Sequence, residues 1–277
     1  MYKLEKISAL FVICLLNGCD ANNQNHDVAK AAHALPPVKQ IQLTAEENSV
    51  FNIRLKNMIV NAFSKGSYES YDRENVKAIT GAIVSVNATD LQNEYERNEV
   101  AADRQFRNKN LIVTALVKSI DRSAGENYYL KLEAKSNMFS NPKAKMAEGQ
   151  LDFLANLNKG EEVILACRGS GMFMGDAILE NCLPLETYAR KMVASFARSL
   201  NFSEIIKKPT LLQQEVVMAV ALASELPKDS ECAKPDFYNK ACIDVIEKIS
   251  MDFGDKSSNT GERTFKLALK KLGVKDY

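Results

Sequence analysis

The sequence predicts an α+β protein: a five-stranded barrel flanked by an N-terminal helical segment and a C-terminal helical region. Three observations carry this. Apolar residues recur at helical spacing near the N-terminus and again after Pro184. Between Lys109 and Leu183 the pattern changes to short runs rich in Val, Ile, Leu and Tyr, separated by turns that carry glycine. A single helical stretch interrupts those runs.

The first twenty residues read as an export signal. Lys3 and Lys6 form a short basic stretch, Ile7–Leu16 is almost wholly apolar, and Leu16-Asn17-Gly18-Cys19 follows. A membrane-spanning helix needs ~20 apolar residues, so residues 1–18 read as a cleaved signal peptide. The tetrapeptide resembles the lipobox of bacterial lipoproteins, with Leu16, Gly18 and Cys19 at matching positions. That resemblance implies diacylglyceryl transfer to the Cys19 sulfur, cleavage after Gly18 and anchoring in a membrane through the N-terminal lipid. The competing reading is an ordinary secretory signal with an incidental cysteine. Each buried methylene contributes ~0.8 kcal/mol, and two or more acyl chains hold stably where one does not. Asp20 resembles the sorting residue that keeps enteric-type lipoproteins at the inner membrane. It implies the periplasmic face of that membrane if the cell is Gram-negative.

Residues 19–43 read as a lipidated, flexible tether, polar and containing Pro36-Pro37 and both histidines, His26 and His33. About 20 such residues have a root-mean-square reach of ~25 Å. Cleavage would remove Lys3, Lys6 and Glu5 from 36 basic and 35 acidic residues, leaving the two charges equal in number. A balanced chain gives no reason to expect nucleic acid or an anionic surface as the main partner. Cys14 leaves with the signal and Cys19 is acylated, so Cys167, Cys182, Cys232 and Cys242 remain. An even number in an exported protein argues for disulfides. Of the three connectivities, local pairing of Cys167 with Cys182 and Cys232 with Cys242 is expected, each worth ~3 kcal/mol if unstrained. No C-x-x-C spacing occurs and both histidines lie in the tether, so neither a metal nor a cofactor is expected.

The segment 44–88 reads as a helix followed by a strand. Thr44 opens the helix, Phe51, Leu55, Met58, Ile59 and Phe63 form its stripe, and Gly66 ends it. Val76–Val86 is β-like in composition. A second helix is expected from a Thr89 cap to about Phe106. Strands follow at Lys109–Ile120 and Glu126–Ala134, around a Ser123-Ala124-Gly125 turn, with a short third at Asn137–Ser140. Ala144–Leu157 reads as a helix closed by Lys159-Gly160. The last two strands, Glu161–Arg168 and Ala177–Leu183, flank the glycine-bearing segment 169–175. A hairpin centred near Met174 would bring Cys167 and Cys182 to facing positions, which a cross-strand disulfide needs.

Three strands, a helix and two strands are the order of an OB-fold, placed here at residues 89–185. The run from Tyr95 to Asp103 leading into Phe106 and Lys109 resembles the opening helix of the bacterial tRNA-anticodon-like OB-fold lipoproteins. Leu157–Val163 matches their helix-to-strand turn, and Leu179-Glu180-Asn181-Cys182 their closing strand. The resemblance covers about residues 90–185 and implies a fold rather than an activity. After Pro184, residues 186–277 read as a helical domain: Leu185–Leu200, Thr210–Leu226 with a Thr210/Gln213 capping box, Pro235–Asp252 and Thr260–Leu272, stopped by Gly273.

OB-folds bind single strands through aromatic residues on the sheet and flanking positive charge. Tyr128, Tyr129, Lys131, Phe139 and Arg168 could form such a face. Between Glu94 and Leu185, however, twelve basic side chains meet thirteen acidic ones, which argues against nucleic acid. Gly169-Ser170-Gly171 lacks the spacing of a phosphate loop, and no histidine beyond the tether can act as a base. Glu161 and Glu162, adjacent on a strand, point to opposite faces. No catalytic residue is expected. The sequence reading is a membrane-anchored, non-enzymatic module for another envelope protein or peptide, with a glycan or nucleotide on the barrel as the alternative.

Overall fold

In the computed structural model, which describes residues 42–64, 73–122, 128–135, 140–199, 211–234, 238–254 and 260–274, the first helix opens on a capping box. The Thr44 N–H donates to Glu47 Oε2 at 2.8 Å and Thr44 Oγ1 accepts from the Glu47 N–H at 3.3 Å. This helix, α1 (Ala45–Ser64), buries Val50, Phe51, Ile53, Leu55 and Ile59. Its buried charges are paired, Lys56 with Glu186 at 3.0 Å and Glu47 with Lys271, as is the half-buried Arg54 with Glu215 at 2.6 Å.

The Val76–Val86 segment is not one strand. It divides into α2 (Arg73–Thr80) and β1 (Val84–Asn87). Val76 is fully buried in the helical core, so tertiary packing overrides its β preference. Gly81 ends α2 in the left-handed region, at φ 74°. The long helix expected over Thr89–Phe106 is likewise two helices, α3 (Ala88–Arg97) and α4 (Glu99–Phe106). Asn98 breaks it. Its backbone is extended, its N–H closes α3 on the Glu94 carbonyl, and its side chain accepts from the Ala101 N–H to start α4. The cap of α3 is Asn87, not Thr89.

The barrel strands are β2 (Asn110–Arg122), β3 (Tyr128–Leu132), β4 (Lys143–Met146), β5 (Glu162–Phe173) and β6 (Asp176–Pro184). They run in the order β2-β3-β4-β6-β5 and close because β5 pairs back onto β2. Only β4 and β6 pair parallel within the ring, and β1 adds parallel to β2. With α5 (Leu151–Ala155) between the third and fourth strands, this is an OB-fold barrel in an α+β protein.

The third strand lies within the segment expected to be helical, rather than at Asn137–Ser140, of which residues 137–139 lie outside the described residues. Ala144 and Met146 turn into the barrel while Lys143 and Lys145 turn out, so period two wins over helical propensity. The β5–β6 turn is Met174-Gly175, with φ of 50° and 85°, the positive pair of a tight hairpin. Behind it Cys167 is bonded to Cys182, with Cα atoms 4.2 Å apart.

After Pro184 come α6 (Leu185–Ser199), α7 (Leu211–Ser224), a 3-10 turn at Glu231–Ala233, α8 (Lys240–Gly254) and α9 (Thr260–Lys271). Cys232 is bonded to Cys242, tying the 3-10 turn to α8. Thr210 lies outside the described residues. Asn239 caps α8, accepting from the Cys242 N–H at 2.9 Å. These helices share one core with α1 and α2, and that core also takes Ile112 and Ala166 from the outer sides of β2 and β5. A second core fills the barrel. Helices thus cover one flank of the barrel, and the outer side of β3 and β4 carries polar side chains instead.

Candidate binding face

In barrels of this type, ligands lie across the outer face of the second and third strands. Here those are β3 and β4. Their register pairs Tyr129 with Lys145 and Lys131 with Lys143. On the other side Tyr129 meets Asp121 and Lys131 meets Ser119. Leu130, Leu132 and Ala144 are fully buried in the barrel, so strand alternation turns Tyr129, Lys131, Lys143 and Lys145 outward together.

Two lysines directly opposite each other repel. The protein offsets this: Lys143 Nζ lies 2.7 Å from Asp176 Oδ2, and the other oxygen of that buried carboxylate accepts the Asn141 N–H at 2.8 Å. Ser119 Oγ donates to Asp121 Oδ2 at 2.8 Å, which holds that carboxylate at the edge. The result is a half-buried tyrosine ring flanked by Lys131 and Lys145. Beyond Lys131 the face runs into a groove of about 460 Å³ lined by Lys118, Glu133, Lys135 and Lys159. This arrangement can stack a planar group and neutralise anionic groups on either side of it.

Of the residues singled out in the sequence, the structure brings Tyr129 and Lys131 together. Tyr128 packs partly against the barrel core, with the Arg122 guanidinium 6.0 Å from its ring centre. Arg168 lies elsewhere. It pairs across strands with Asn110 and Glu180, while Lys131 pairs with Ser119 far along β2, an offset of roughly 30 Å at ~3.3 Å per residue. There Arg168 donates to Asn108 Oδ1 at 3.1 Å. Phe139, Cys19, Asp20, His26 and His33 lie outside the described residues. Sequence reasoning missed Lys143 and Lys145. The signal was present, since Lys-Ala-Lys-Met directly after a proline alternates charged and apolar residues with period two.

The strongest acid–base perturbation lies away from this face. Burial, then the Asp103 carboxylate, holds the Tyr95 hydroxyl well above its usual range. Tyr95 donates to Asp103 Oδ1 at 3.3 Å, and Arg107 donates to Oδ2 at 2.9 Å. These groups pack beside Gly171 and fix α4 against β5, so they serve packing. Among the described residues no group of His, Cys, Asp and Glu could hold a metal, and no helix is long and apolar enough to cross a membrane.

No curated protein matches the chain. A solved Klebsiella pneumoniae protein described as a "putative nucleic acid-binding lipoprotein" is similar at 14% identity and a TM-score of 0.29, covering 36% of this chain and 91% of that one. Superposition at that level carries no weight for either chain. The model of the tRNA_anti-like family matches residues 4–183, which is more than half the sequence and ends within the last barrel strand. The barrel topology agrees with a binding module of this kind. The chain belongs to the tRNA_anti-like family.

Proposed function

We propose that this chain is a lipid-anchored, non-enzymatic binding module of the cell envelope whose barrel takes an anionic oligomeric ligand across β3 and β4. The observation that supports this is the outward row of Tyr129, Lys131 and Lys145, continued by Lys118, Lys135 and Lys159 in the adjoining groove. The balance of charge over the whole barrel speaks against a polyanion, but a ligand meets the local surface, and there basic side chains outnumber acidic ones. Phosphorylated or carboxylated oligomers, nucleotide or glycan, fit such a face. An aromatic ring between lysines suits stacked bases with phosphates on either side, which makes single-stranded nucleic acid the first ligand to try. On this reading the barrel (89–185) carries the ligand, residues 44–88 and 186–277 brace it, and Cys19 with the 19–43 tether holds it at the membrane. In a Gram-negative cell, Asp20 would keep it at the periplasmic face of the inner membrane.

The test is fluorescence anisotropy of the full chain with labelled oligothymidine and with an acidic oligosaccharide. Replacing both Lys131 and Lys145 by glutamate should weaken binding at least tenfold and flatten the salt dependence by a slope of ~1.4, two charges at ~0.7 each for a single strand. No binding of either class by the parent chain overturns the reading. The anchor is tested separately, because Cys19→Ser should abolish labelling by a clickable fatty acid.

A second reading, docking of another envelope protein or peptide on the helices after Pro184, is favoured by Met251 and Leu267. These are exposed on α8 and α9 at 70% and 56%. Crosslinking in intact cells should then capture a stoichiometric partner that is lost in a Met251→Glu/Leu267→Glu chain.

A further inference from the structure

The largest departures from ordinary surface chemistry meet at the tip of the β5–β6 hairpin. Phe173 is 63% exposed and Met174 86%, the highest value among the exposed large apolar side chains of the described residues. Met174 also sits at φ 50°, a conformation that Asn, Asp or Gly occupies at lower cost. One residue thus combines backbone strain with exposed apolar surface, and neither helps the chain to fold.

The tip stands on a rigid base. Gln92, fully buried on α3, donates to the Gly175 carbonyl at 2.7 Å and accepts from the Ala177 N–H at 3.0 Å. Asp176 is held by Lys143 and by the Asn141 N–H. Asp103 and Arg107 brace Gly171 from α4. Each of these polar groups has a partner within the protein, so what projects at the tip is a two-residue apolar wedge. A specific protein interface wants ~800 Å² per partner and a polar rim of hydrogen bonds. A wedge of two side chains offers little of either, whereas hydrocarbon asks for apolar surface alone.

We propose that the hairpin tip inserts Phe173 and Met174 into the lipid surface to which the chain is tethered. This rests on the reading of Cys19 as a lipid anchor. The stretch 19–41 can extend to ~75 Å at ~3.3 Å per residue, and a folded unit of this length is ~45 Å across. The tip can therefore reach the bilayer from wherever the tether leaves. Tethering also raises the effective concentration of the surface to the millimolar range, so a contact too weak to recruit the chain from solution still forms.

The chain contains no tryptophan, so Phe173→Trp introduces a single reporter. The full acylated chain carrying it is reconstituted in phosphatidylethanolamine/phosphatidylglycerol vesicles with brominated acyl chains. The control is Leu151→Trp, which is exposed on α5, outside the hairpin. The expected result is blue-shifted, bromine-quenched emission for Phe173→Trp and for Met174→Trp, with water-like, unquenched emission for the control. Water-like emission from all three chains, while the protein still floats with the vesicles, overturns the wedge and leaves the anchor standing. If the protein does not float, the anchor reading fails. The wedge is then judged by adding the vesicles at millimolar lipid, where unshifted emission overturns it and a shift supports it. A photocrosslinker at Met174 that captures a protein in place of lipid also overturns it.

Discussion

Gln92 gives the sharpest test of how the barrel is held to its leading helices. It is fully buried, and its amide ties α3 to the β5–β6 turn at Gly175 and to the start of β6 at Ala177. Replacing it with Met keeps the volume and removes the hydrogen bonds. The Ala177 N–H then loses its partner inside the protein, which costs about 1–3 kcal/mol, and the less buried Gly175 carbonyl adds ~1 kcal/mol. The bond to Glu96 lies toward solvent and adds little. The expected loss is thus ~2–4 kcal/mol, or roughly 5–15 °C in midpoint at ~2–4 °C per kcal/mol for a protein of this size. Urea and thermal unfolding followed by far-ultraviolet circular dichroism measure it. Gln92→Glu supplies the sign. It still accepts from Ala177, but as an anion it cannot donate to Gly175 and it faces Glu96. Burial and that neighbour raise its folded pKa, so stability present at low pH is lost as pH rises through the raised value, while Gln92→Met shows no such dependence. A Gln92→Met chain within ~0.5 kcal/mol of the parent would refute the reasoning.

Three further outcomes follow from the geometry. A Cβ at Gly169 would lie 2.2 Å from the Phe106 carbonyl oxygen, so Gly169→Ala must push the end of α4 off β5. It should cost about 3 kcal/mol by denaturant titration, the upper end of the usual range for overpacking. Met174→Asn relieves the left-handed strain and should raise stability by ~1 kcal/mol, read as a higher urea midpoint at unchanged slope. Burial pushes the Tyr238 hydroxyl up to about 12, with the Arg190 guanidinium, 4.7 Å from the ring, pulling the other way. The unfolded chain, with tyrosine near ~10, ionises first. Stability is therefore full below pH ~10 and declines as pH rises through about 12, and Tyr238→Phe should remove part of that decline and the late phase of the tyrosinate absorbance titration.

The OB-fold was legible because its long strands announce themselves. β2 and β5 are runs of Val, Ile and Leu, and the one tight turn between β5 and β6 carries Gly175 where positive φ is needed. What the sequence hid was decided by neighbours distant in the chain. Val76 looks like a strand residue until a helical core forms around it, and Ala144 looks helical until β3 and β6 claim its backbone from both sides. Asn98 is ambiguous in one dimension, since it can close one helix and open the next. The binding face suffered most. Arg168 and Tyr129 are both aromatic-or-basic residues on barrel strands, yet register sets them at opposite ends of β2. The alternation that marks Lys143 and Lys145 spans only four residues, and the helix-forming stretch that follows it outweighs so short a signal. Averaging charge over the barrel then concealed the patch they complete.

The helical core joins α1 to α6, α7 and α9, and its ion pairs link residues 161 and 224 positions apart. During synthesis the barrel strands are all present once Pro184 has emerged, but α1 has no complete set of neighbours until α9 does. The flank of Ile112 and Ala166 waits for α6, and the apolar stripe of α1 stays partly uncovered until α7 has followed. The nascent chain therefore passes through a half-finished state in which the barrel is closed and its first helix is sticky. A holdase acting on this chain would find its strongest site there, and a premature stop before α7 would leave much of that surface open.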